Sequence, residues 1–124
     1  MAKNILAKPI KLIHLEESWT FLKEIEKSNH EVFLQLWKNF KKAEMPNNGL
    51  GGDCFGKLRG DIWYFRVNHG GLWYRTLCFW DKTGKENTLV VCTHTILKKG
   101  NKVPPKEIDK ADKIKIQYFE LLKD

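Results

Sequence analysis

Trp63-Tyr64-Phe65-Arg66-Val67-Asn68-His69-Gly70-Gly71-Leu72-Trp73-Tyr74-Arg75 has the pattern of a β-hairpin. Trp63, Phe65 and Val67 alternate with Tyr64, Arg66 and Asn68, the period of a strand with two unlike faces. Gly70 and Gly71 then mark a tight hairpin. The return strand runs from Leu72 to about Trp80. In a two-residue loop the paired positions sum to an odd number. Arg66 and Arg75 therefore share one face whether the loop is His69-Gly70 or Gly70-Gly71. In the second register they are directly opposite, where like charges repel. Trp63, Phe65, Val67 and Leu72 take the other face, for helices to cover.

The elements on either side of this hairpin show the same kind of patterning. A loop around Lys82 to Asn87, centred on Gly84, leads to a third strand, Thr88 to Leu97, rich in β-branched residues. Upstream, Ile10 to Leu15 reads as a short strand. Ser18 is expected to cap a first helix carrying Trp19, Leu22 and Ile25. Ser28 and Glu31 form a capping-box pattern before a second helix. The stripe of that helix is Val32, Phe33, Leu36, Trp37 and Phe40. Asn47 to Gly52 is a turn-forming break. Pro104 and Pro105 open a last helix with Ile108, Ala111, Ile114, Tyr118 and Leu122 on its apolar face. The order is strand, helix, helix, three-stranded meander, helix. It predicts an α+β fold in one domain over residues 1–124, with the helices on one face of a mostly antiparallel sheet.

Composition narrows the function classes. Hydrophobic residues make up 42% of the 124, enough for a packed core and against disorder. No apolar run has the length of a membrane span, and Met1 to Lys8 has no signal-peptide core, so a cytoplasmic location is expected. Cys54, Cys78 and Cys92 are odd in number and lack zinc-knuckle spacing, and the four histidines are scattered. The cysteines are read as reduced and mostly buried. No metal or cofactor site is expected. The net charge of +7 favours a polyanionic partner. Its distribution sharpens the point. Nineteen basic residues are Lys and spread along the chain, whereas the three Arg, Arg59, Arg66 and Arg75, lie in one stretch. Arg offers a rigid fork of donors that matches phosphate.

An open sheet face with Arg66, Arg75, Tyr64, Asn68 and Trp73 suits RNA, since aromatic rings stack on bases while arginines hold phosphates. The alternative is that each Arg pairs with a carboxylate or lies in water, but only Asp61 and Asp81 flank the two strands. His94 is a candidate proton-transfer group, although a lone strand histidine is more often structural. Lys98 and Lys99 follow that strand and are either a polar exit or the flank of the same groove. Lys57 and Arg59 enter from the other side as phosphate contacts. Lys106, Lys110, Lys113 and Lys115 alternate with Glu107, Asp109 and Asp112, the pattern of a solvated helix face.

Three pieces of sequence carry a family resemblance. They are Lys57-Leu58-Arg59-Gly60-Asp61-Ile62-Trp63-Tyr64-Phe65-Arg66-Val67, then Gly71-Leu72-Trp73-Tyr74-Arg75, then His94-Thr95-Ile96-Leu97-Lys98-Lys99 with Pro104, Glu107-Ile108 and Ala111. Together they resemble the phage-derived, HigB-like branch of the RelE/ParE toxin superfamily. The motifs span roughly residues 55 to 115. The resemblance implies a toxin of a type II toxin–antitoxin pair, with a small helix-turn-helix (HigA-like) antitoxin as partner. Many such toxins are ribosome-dependent mRNA endonucleases that use no metal. On that reading Arg66 and Arg75 act on the phosphate and His94 or Lys98 moves protons. Lys57, Arg59 and Lys99 then hold the backbone or ribosomal RNA. Two alternatives stay open: a ParE-like gyrase poison that cleaves nothing, and an inactive phage-derived module that keeps only antitoxin contact.

Overall fold

The computed structural model describes residues 10–44, 54–84, 88–100 and 102–123. The element order is β1 (Ile10–His14), α1 (Glu16–Ser28), α2 (His30–Glu44), β2 (Phe55–Arg59), β3 (Ile62–His69), β4 (Leu72–Asp81), β5 (Thr88–Lys98) and α3 (Pro105–Leu122). The strands form one sheet in the order β1-β5-β4-β3-β2. β1 runs parallel to β5, and every other pair is antiparallel. The fold is the expected α+β class, with one more strand than the sequence pattern suggested. That strand, β2, contains Gly56, which weakens its apolar signal. The expected break at Asn47 to Gly52 lies outside the described residues, as does the end of the Lys82 to Asn87 loop.

The expectation that all helices share one sheet face is corrected. α1 and α2 cover one face, where Leu22, Val32, Leu36, Phe40 and Phe65 are almost fully buried with Cys78 and Cys92. α3 lies on the other face, where Ile108 and Ala111 pack with Ile62, Leu77, Phe79 and Val91. The reason is in the strands themselves. Ile62, Leu77 and Phe79 stand on the same face as Arg66 and Arg75, so that face is apolar at one end and cationic at the other. Burying one such aliphatic or aromatic side chain stabilises by about 1.5–3 kcal/mol, which draws α3 over the apolar end alone. The arginine end stays without a helix.

Two helix starts differ from expectation. Leu15, not Ser18, occupies the first cap, and it makes no side-chain cap bond. Ser18 is buried inside α1, with Oγ 3.0 Å from His14 Nδ1. At α2 the Val32 N–H donates to Asn29 Oδ1 at 3.3 Å, while the Ser28 hydroxyl donates back to the Glu24 carbonyl. Asn29 therefore does the capping assigned to Ser28.

Two bulges set which way the functional side chains face. Between β2 and β3, Lys57 pairs with Trp63 but Arg59 pairs with Ile62. The extra residue, Leu58, sends Lys57 and Arg59 to opposite faces. Between β4 and β5, Leu77 pairs with His94 but Cys78 pairs with Cys92. The extra residue, Thr93, moves His94 and Ile96 to the α3 face while Cys92 stays under α1 and α2.

Candidate functional site: an arginine groove at the end of the sheet

The turn is Gly70-Gly71, with φ of 60° and 82°, left-handed values that glycine adopts without strain. This register pairs Arg66 directly with Arg75 and Asn68 with Trp73. β5 continues the surface, pairing Lys98 with Trp73 and Ile96 with Arg75. The fold thus brings Arg66, Arg75, Trp73, Asn68 and Lys98 together, with Tyr64 at the boundary to α3. Lys99 follows at the strand exit, exposed.

The two guanidinium groups share one ring. Arg66 Cζ lies 5.3 Å and Arg75 Cζ 5.4 Å from the Trp73 ring centre. Arg66 also donates to Tyr64 Oη at 3.2 Å and lies 5.6 Å from that ring. Tyr64 takes this position because Gly56 has no side chain. A Cβ at Gly56 would stand 2.9 Å from Tyr64 Cε1.

Arg75 lies beneath this surface and is only 1% exposed. Its Nη2 donates to the Gly100 carbonyl at 2.8 Å. Among the described residues, Nε and Nη1 have no hydrogen-bond partner. Burial lowers its pKa from the ordinary arginine value, Tyr64 pulls the other way, and the Arg66 charge adds to the lowering. A buried cation with two unused donors and a like charge opposite is arranged for an anion.

Other expected site residues stand elsewhere. His94 is 1% exposed and lies beneath α3. Its Nε2 is 3.0 Å from Glu107 Oε1 and its Nδ1 is 2.9 Å from Thr93 Oγ1. Burial depresses its pKa against the opposing pull of Glu107. His94 holds α3 rather than lining the groove. Arg59 is bonded to Asp109 and lies 3.5 Å from Asp112, both on α3. Lys57 faces the α1–α2 side beside Trp63, away from the arginines. The charged face of α3 is accordingly a set of fastenings: Lys110 to Glu17 at 2.6 Å, Lys115 to Asp61 at 2.9 Å, and the Arg59 and His94 contacts.

The contributions of Gly56, Gly100 and Glu107 were not anticipated from sequence. Glu107 sits inside a motif already singled out, but nothing local ties it to a histidine 13 positions away. Among the described residues no three His, Cys, Asp or Glu side chains gather at metal-ligand spacing. No helix is long and apolar enough to cross a membrane.

A family model described as phage derived protein Gp49-like (DUF891) matches residues 20–115, from α1 into α3. The chain belongs to this family. It is a RelE-like, toxin-like family, and its match takes in the whole arginine groove. Searches of curated proteins and of solved structures gave no match.

Proposed function

We propose that this Gp49-like protein is the toxin of a type II toxin–antitoxin pair and cleaves mRNA on the ribosome. The observation that carries the reading is Arg75: a buried guanidinium with two unused donors, facing Arg66 across the strand pair. Scissile phosphate is an anion that satisfies both. Arg66, half-buried above Arg75, parts from Trp73 to admit it. Arg66 and Arg75 then stabilise the charge that builds on the phosphorus oxygens. Trp73 and Asn68 hold the adjoining base.

The nucleophile is the RNA's own 2′-hydroxyl. Its oxygen bonds to phosphorus as the bond from phosphorus to the 5′-oxygen breaks, leaving a 2′,3′-cyclic phosphate and a 5′-hydroxyl. One proton leaves the 2′-hydroxyl for water and one reaches the departing oxygen. Lys98, exposed beside Trp73, gives the second and recovers it from water. Lys99 holds the backbone. His94 has no part in the transfer. The partner is a helix-turn-helix antitoxin that covers the groove.

Single-turnover cleavage of ribosome-bound message tests this. The parent protein cleaves with EDTA added up to the limit the ribosome tolerates, and Arg66→Ala does not. Inhibition of gyrase supercoiling without RNA cleavage would instead support a ParE-like poison.

A further inference from the structure

A second cleft, of about 550 Å³, opens at the far end of the sheet around the turn between β2 and β3. Its walls include Trp63, Trp80, Phe119, Lys57, Lys82 and Lys115. Trp63 and Arg66 are three residues apart on one strand and therefore face opposite sides of the sheet. The cleft wraps the edge of the sheet, since Lys115 and Phe119 belong to α3, but none of its lining residues belongs to the arginine site.

We propose that this cleft binds one unstacked nucleotide of single-stranded RNA, its base against the Trp63–Trp80 pair and its phosphate on Lys57 and Lys82. Both indoles are half-buried and held in place. Trp63 stacks on Phe55 at 5.2 Å with 14° between planes, and Trp80 stands edge-on to Trp63 at 6.3 Å. Each carries an ammonium over its ring, Lys57 Nζ at 6.0 Å from the Trp63 centre and Lys82 Nζ at 5.8 Å from the Trp80 centre, and a stacking base displaces these flexible side chains from the rings to its phosphate. Among the described residues neither lysine has a carboxylate in ion-pair contact. Lys115, by contrast, is tied to Asp61 at 2.9 Å. The walls therefore carry three ammonium groups against one carboxylate, Asp61, which is bonded to Lys115 and feels the Lys57 charge more weakly, so the cleft is left with a net positive charge.

Pre-set aromatic rings with adjacent free cations are the general form of a single-strand platform, because every base has a face to stack and every phosphate a charge to neutralise. The volume suits a small planar ligand with its phosphate. The Leu58 bulge is what creates the site, since it turns Lys57 to the Trp63 side while Arg59 goes to α3. An acidic peptide would satisfy the lysines but makes less of two indoles whose ring geometry suits a flat partner. The site shares with the proposed function only the premise that RNA is the ligand, and it needs no cleavage at Arg75.

The test is titration of the full chain with a six-nucleotide oligouridylate, following the assigned indole N–H resonances of Trp63, Trp73 and Trp80. The parent and Arg66→Ala are both expected to show Trp63 and Trp80 shifts. The double variant Lys57→Gln/Lys82→Gln, altered only at exposed positions, is expected to bind at least 10-fold more weakly at the cleft. Its salt dependence should fall by about two counterions. Shifts confined to Trp73 would overturn the proposal. So would Trp63 and Trp80 shifts that vanish in Arg66→Ala, or that hexaglutamate produces and the oligonucleotide does not. Loss of cleavage in Arg66→Ala with the cleft shifts intact would leave both readings standing, whereas normal cleavage there would remove only the arginine mechanism.

Discussion

His94 Nε2 meets Glu107 Oε1 at 3.0 Å, and this contact joins β5 to α3 beneath the surface. It assigns His94 to the fold. His94→Ala removes two hydrogen bonds, leaves Glu107 and Thr93 without their partner, and opens a cavity. A loss of about 2–4 kcal/mol in urea melts is expected. Where the variant is still folded, cleavage should persist, and its pH profile should show no histidine step. An unchanged melt with cleavage abolished would return His94 to the chemistry.

His14 makes stability depend on pH. Burial pushes its pKa down to about 4 from the ordinary 6.5, with Glu44 pulling the other way. The unfolded chain therefore takes up a proton near pH 6.5 that the folded chain refuses until about pH 4. The contribution is fully present above pH 6.5 and is lost as pH falls towards 4, up to about 3 kcal/mol. His94, also depressed by burial, acts with the same sign. His14→Gln should flatten the fall in melting temperature between pH 7 and pH 4.5. An equally steep fall in that variant would remove His14 as a cause.

Gly56 is expected to matter for activity more than for stability. In Gly56→Ala the new Cβ meets the end of the Tyr64 ring, which can swing aside. Arg66 then loses the phenol oxygen that accepts its hydrogen bond. Cleavage should drop about 10-fold, within the range of a misplaced charge-stabilising group, while the melt moves by no more than about 1 kcal/mol. Normal cleavage would show that Tyr64 does not position Arg66.

The hairpin was legible because its alternation, its glycine pair and its register are local. Parity alone brought Arg66, Arg75, Tyr64, Asn68 and Trp73 to one face. The faces of Lys57 and His94 were not legible, because each follows from a one-residue bulge, at Leu58 and at Thr93, that leaves no mark on composition. The side taken by α3 had a signal that went unused: Ile62, Leu77 and Phe79 share parity with the arginines and need cover. The burial of Arg75 depends on the Gly100 segment folding back to its guanidinium, a contact 25 residues away in sequence. Ser18 and Ser28 were local readings overridden by their neighbours His14 and Asn29.

Under the proposed function, Arg75 is held in an unfavourable place for the sake of a phosphate. Arg75→Met keeps most of the volume while removing a buried charge, two unused donors and the repulsion with Arg66. Its cost is the bond to the Gly100 carbonyl and the cation–π contact with the Trp73 ring. Replacing a poorly paired buried ion by an apolar side chain is commonly neutral or stabilising. The decisive measurement is the thermal melt of Arg75→Met beside its single-turnover cleavage of ribosome-bound message. A melting temperature equal to or a few degrees above the parent is expected, about 1 kcal/mol at most, with cleavage reduced about 100-fold or more. A variant that melts far below the parent would make Arg75 a structural residue, and one that cleaves as the parent does would remove it from the chemistry.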